Sequence, residues 1–242
     1  MSALPGLSNV ATGLRIMYYG LLLIVLAVLA QSILPAAAPQ LVIQIGFVRF
    51  IETCAYLQLA GFVLHLVGQL FCLAIPGQTG AAPAMYLSLL LSVVVVAVQL
   101  LTIFSPTTLL QILPVGMLQS LGYIELGLFT LAICLLLLSL KALNRYIGSE
   151  RNATRANTTF FATLILIGLF VALTLAVMQA VENIAAAGPL NRRRGENDLL
   201  LGLSIGTLVF GLVWLVLYGN TLTYTARALT DYDRRGGRPV DA

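Results

Sequence analysis

The chain has 242 residues, of which 60% are hydrophobic and 9% charged, with a net charge of +4 and a mean hydropathy of +0.98. A water-soluble domain of this size carries about a quarter charged residues, so a soluble enzyme or binding module is excluded. No basic surface interleaved with aromatics points to nucleic acid.

Apolar runs of roughly 20 residues, enough to cross about 30 Å of hydrocarbon, recur along the chain. They predict an all-α, polytopic integral membrane protein: a bundle of six transmembrane helices over residues 1–228, followed by a flexible charged tail over 229–242. The first span covers about 14–34, closed by Pro35 and Pro39. Its apolar stretch from Ile16 to Leu34 is too long for the core of a cleaved signal peptide. The second covers 47–75 and stops at Pro76-Gly77, and the third covers 84–104 and stops at Ser105-Pro106. The segment 105–114 is unusually apolar for a connector and reads as an interfacial turn, with a shallow dip into the membrane or a subunit contact as the alternative. The fourth span covers 116–141 and extends to Gly148, the fifth covers 160–187 up to Gly188-Pro189, and the sixth covers 199–222.

Lysine and arginine near span ends set orientation. With the N-terminus inside, the inner side receives Arg15, Lys141, Arg145, Arg151, Arg155, Arg227, Arg234, Arg235 and Arg238. The outer side receives Arg49 and the triplet Arg192-Arg193-Arg194. Both termini are therefore expected in the cytoplasm. Twelve of the 13 basic residues are arginine, and with the Ala, Leu and Gly content this suggests a bacterial inner membrane. Tyr18, Tyr19, Tyr86, Tyr146 and Tyr218 read as an aromatic belt near the inner ends of spans.

Span 2 holds the single histidine and two of the three cysteines. At about 100° per residue, Cys54, Gln58, Gly61, His65, Gln69 and Cys72 fall within some 40° of His65. Polar groups in hydrocarbon are costly without partners, so this stripe must face protein or a cavity. One reading is a helix interface, with Gly61 allowing close approach and the polar residues bonding across it. A second is a water-lined path through His65 and the glutamines. A metal or haem site is the weakest of the three. Cys54 and Cys72 lie about 27 Å apart along a helix, and only one histidine exists, so no metal or cofactor is indicated.

Glu125, near the middle of span 4, is a functional candidate because an ionisable group at that depth needs a reason to be there. Glu52 and Glu182, nearer the outer ends of spans 2 and 5, are expected to pair with Arg49 and the Arg192 triplet. Small residues at four-residue spacing, Gly168, Ala172, Ala176 and Ala180 in span 5 and Gly202 and Gly206 in span 6, mark packing faces within the bundle or between protomers. They point to the lipid bilayer and a homo- or hetero-oligomer as the chain's partners. No nucleophile–base pair, phosphate loop or metalloprotease motif is present.

The stretches GQLFCLAIPGQTGA (68–81) and LKALNRYIGSERNATRA (140–156) resemble bacterial multi-pass membrane proteins that share a Cys-Leu-x-x-Pro exit from span 2 and a basic exit from span 4. That resemblance implies an inner-membrane location and brings no activity with it. The residues leave three functions open. The first is a non-enzymatic channel or carrier of a small solute or ion, or a subunit of one, using Gln58, His65, Gln69 and Glu125. The second is a structural subunit of a larger complex, and the third is a redox or metal-binding subunit.

Overall fold

The computed structural model describes residues 6–37, 40, 43–44, 46–105, 115–187 and 194–237. Among them the chain is all-helical: α1 (Leu7–Ala37), α2 (Phe47–Cys72), α3 (Ala82–Phe104), α4 (Val115–Tyr146), α5 (Glu150–Ala187) and α6 (Arg194–Arg234), with a short 3-10 turn at Gly77–Thr79. All six carry a segment long and apolar enough to cross a membrane. The connector at 106–114 and the side chains of Glu182 and of the Arg192–Arg194 triplet lie outside the described residues.

The tightest pairing is between α1 and α2, and glycine makes it. A side-chain carbon added at Gly13 would stand 2.4 Å from the Gly68 carbonyl oxygen, and one at Gly20 would stand 2.6 Å from that of Gly61. The backbones touch with nothing between them, which is how membrane helices gain dispersion energy when no hydrophobic force drives them together. Both glycine pairs are seven residues apart, and the same step leads to Ala27 and Cys54, both buried. A seven-residue repeat keeps one seam facing its partner along the whole antiparallel pair.

The α4–α5 corner follows from Gly148. Its φ of 75° is costly for a side-chain-bearing residue. It lets Gly148 N–H reach the Arg145 carbonyl (3.1 Å) and Ser149 N–H reach that of Asn144 (2.8 Å). These are the paired bonds that close a helix at a left-handed residue. The Ser149 carbonyl then accepts from Ala153 N–H to begin α5.

Helix α1 runs past Pro35, because a proline in the last turn forfeits a single bond. Helix α6 does not stop at Ala228 either. It continues to Arg234, with Leu229 and Tyr232 buried, so the first six residues of the predicted tail are helix; residues 238–242 lie outside the described residues. Leu229 and Tyr232 supply the apolar face that a solvated tail would lack.

Packing is uneven along the bundle. The main core gathers at the basic end, where Leu14, Met17, Met85, Leu136, Leu140 and Leu222 are completely or almost completely buried. Towards the other end the helices expose apolar side chains, among them Val171 and Leu175 of α5 and Leu208 and Val209 of α6. Such exposure suits a lipid environment, where apolar surface carries no penalty.

Candidate functional site

Five of the six residues in the α2 stripe are buried: Cys54, Gly61, His65, Gln69 and Cys72; Gln58 is half-buried. The stripe faces α1 through Gly61, and the Cys72 thiol points at the Val10 carbonyl (3.8 Å). His65 lies where α1, α2, α4 and α6 meet. It is 1% exposed, its ring edge-on to Phe129 (5.9 Å between centroids) and stacked with Tyr218 (6.4 Å). Tyr218 in turn stacks on Trp214 at 5.3 Å, and the indole N–H of Trp214 donates to the Thr163 hydroxyl (2.8 Å).

One turn along, Gln69 is fully buried. Its Nε2 donates to the Ser88 hydroxyl (3.2 Å), and Ser88 donates to the Ala132 carbonyl (2.7 Å). This relay ties α2 to α3 and α3 to α4. Around it several buried polar atoms find no partner among the described residues: both nitrogens of His65, Oε1 of Gln69, the hydroxyl of Ser92 and the hydroxyl of Tyr218. The Met17 backbone comes near the imidazole without meeting hydrogen-bond geometry. Leaving a buried polar group unpaired costs about 1–3 kcal/mol, so a cluster of them is a large concession.

Glu125 has a different setting. It is half-buried, and its Oε1 accepts from the side-chain amide of Gln99 on α3. Its partner is thus a neutral amide. Counting along the α2–α3 seam from the Gln69–Ser88 bond places His65 level with Ser92, and Gln58 level with Gln99. Phe62 packing on Val95 and Val96 agrees with that register. The polar positions therefore lie at successive levels over about 16 Å of helix, bonded at two of them, Gln69 to Ser88 and Gln99 to Glu125. Replacing Glu125 with Gln keeps an acceptor for Gln99. It is expected to leave assembly and thermal midpoint within about 0.5 kcal/mol of wild type, whereas Glu125→Leu, which strands Gln99, should cost about 1–3 kcal/mol. Equal losses for the two in detergent melting would show that the Gln99 bond is immaterial.

The small residues of the last two helices fall elsewhere. Gly168, Gly202 and Gly206 have nothing within 4 Å of where a side chain would begin. Ala172 is exposed and Ala176 half-buried, and the side chain of Ala180 lies outside the described residues. Among the described residues, Gly168, Gly202 and Gly206 do not meet another helix. Glu52 is exposed at the start of α2. Among the described residues no three of His, Cys, Asp and Glu come together as a metal-ligating group, and Cys54, Cys72 and Cys134 are buried free thiols.

Some of the site was not read from the sequence. Tyr218, assigned to the aromatic belt, is completely buried and stacked against His65; aromatic identity near a span end does not separate lipid-facing from core-facing positions. Ser88, Ser92 and Gln99 were overlooked, although they lie within about 40° of one another on α3. Gly13 and Gly20 recur at seven residues, a period that a four-residue spacing of small residues does not reveal. Comparison with known protein families, with curated proteins and with solved structures found no match.

Proposed function

We propose that this chain carries a small polar solute or ion across a membrane, with the buried polar levels around His65 as the path and the Gln58–Gln99–Glu125 level as its far end. One observation carries the reading: the imidazole of His65 is enclosed between the helices, yet among the described residues neither ring nitrogen has a hydrogen-bond partner. Polar groups kept in a membrane interior at such cost are, by default, functional. Gln69 and Ser88 supply hydrogen-bonding groups next to it, and Glu125 supplies the one ionisable acid on the track. The apolar core closes the track at the basic end, so passage requires the packing around Leu14, Met17 and Met85 to open.

The decisive experiment is flux. Full-length protein in sealed vesicles should dissipate a proton or alkali-cation gradient or take up a labelled small solute, and His65→Phe should not. If wild-type vesicles stay tight to every ion and solute tried, the transport reading falls.

For orientation we infer that the basic end faces the cytoplasm of a bacterial cell. A cysteine introduced at 76–83 or 148–157 should resist impermeant thiol reagents in intact cells, and one at 190–195 should label. The opposite pattern reverses the topology.

A second reading, a structural subunit, is favoured by the open faces at Gly168, Gly202 and Gly206, which leave room for a helix from another chain. Particle mass in detergent, compared between wild type and Gly206→Val, tests it: a drop in oligomeric state supports that reading and an unchanged mass counts against it.

A further inference from the structure

At the basic end of the bundle, α5 and α6 enclose a polar cleft of about 250 Å³, lined by Thr154, Arg155, Thr158, Asn220 and Tyr224 with the Thr159–Thr221 pair at its floor. The guanidinium of Arg155 is held in place from two sides. Its Nη1 donates to Oδ1 of Asn152 (2.9 Å), and its carbon lies 4.1 Å from the centre of the Tyr224 ring. Asn152 is itself anchored to the Tyr224 carbonyl (3.4 Å). Among the described residues no carboxylate neutralises this cation. An arginine fixed in this way loses little freedom when it binds a planar or tetrahedral oxyanion, and most of its donors remain unused.

The other groups divide by role. Thr158 donates its hydroxyl hydrogen to a backbone carbonyl one turn back, which leaves its exposed oxygen as an acceptor. Thr159 and Thr221 lie buried, bonded to each other at 2.9 Å and to the carbonyls one turn back. Asn220 and Thr154 are exposed at its rim and can donate. The cleft therefore offers a cation with donors at the rim and the Thr158 oxygen as an acceptor, above a threonine floor that is already hydrogen-bonded. Thr154 lies one turn inside the start of α5, and the charged end of α6 begins at Arg227, so the cleft sits at headgroup depth.

We propose that this cleft binds a phosphate ester carrying free hydroxyls, of the glycerol-phosphate type: Arg155 and Asn220 hold the phosphate, and the Thr158 oxygen accepts from a hydroxyl. That chemistry is found in the headgroup of phosphatidylglycerol and in soluble glycerol 3-phosphate.

The test uses full-length protein in detergent, followed by native mass spectrometry and thermal melting. Phosphatidylglycerol, phosphatidylcholine and glycerol 3-phosphate are added separately, to wild type, Arg155→Gln and Asn220→Ala. Wild type should retain and be stabilised by phosphatidylglycerol but not phosphatidylcholine, and Arg155→Gln should weaken that binding by about tenfold or more, the scale of a charged hydrogen bond. Stabilisation by glycerol 3-phosphate as well assigns a soluble ester; its failure beside phosphatidylglycerol assigns the lipid. If Arg155→Gln does not fold, the exposed Asn220→Ala gives the reading, with a weaker loss. Equal response to both lipids, or variants that bind like wild type, overturns the proposal.

Discussion

Gly68→Val is expected to unfold the α1–α2 pair, lowering stability by about 3 kcal/mol, at the upper end of what overpacking costs. The first added carbon would stand 2.5 Å from the Gly13 carbonyl oxygen and 2.4 Å from Cγ of Met17. Met17 is completely buried and cannot swing away into solvent or lipid. The Gly13 oxygen belongs to a helix backbone and cannot move without the helix. Relief therefore requires α1 and α2 to separate, which also opens the contact at Gly20 and Gly61 two turns away. Gly122→Val is the matching control, since nothing lies within 4 Å of it. Unfolding midpoints in mixed micelles should drop sharply for the first and stay put for the second. Similar midpoints for both would mean that the glycine seam does not hold the pair together.

His65→Phe is expected to part stability from transport. Phenylalanine fills nearly the same space between the Phe129 and Tyr218 rings and removes two polar atoms that have no partner among the described residues. Removing both sides of an unmet polar demand is neutral or stabilising, so the thermal midpoint should hold or rise. Flux in sealed vesicles should fall on the order of 10²-fold, the scale of losing a positioned proton-transfer group. That combination is the stability–activity trade-off of a working residue. A variant that loses stability while keeping its flux would instead mark His65 as a packing residue.

The number and type of elements were legible because each helix repeats its apolar signal over 20 residues or more. Membrane depth also forces backbone groups to bond within the helix. The α2 stripe was legible too, since polar residues stand out in an apolar helix and the 3.6-residue period places them on one face. What faced them was not. That His65 meets Tyr218 of α6, or that Gln69 meets Ser88, depends on which helices are neighbours. A period along one helix carries no information about that. Serine and threonine gave weak signals because either can satisfy itself on the carbonyl four residues back, as Thr163 does on Thr159 and Ser139 on Leu135. The small-residue faces misled for a related reason: Gly168, Gly202 and Gly206 share their spacing with true contact faces, but among the described residues no helix reaches them.

The most direct test of the polar centre uses the fact that the chain contains one histidine. Full-length protein labelled with ¹⁵N at histidine alone and placed in bilayers gives a nitrogen spectrum of His65 and nothing else. If His65 serves a transported species, its ring N–H should exchange with deuterated water, and its shifts should move when the transported ion or solute is added. A ring that stays protected from exchange, with shifts unchanged by any added ion or solute, would contradict the transport reading and leave His65 as a packed side chain in a structural helix bundle.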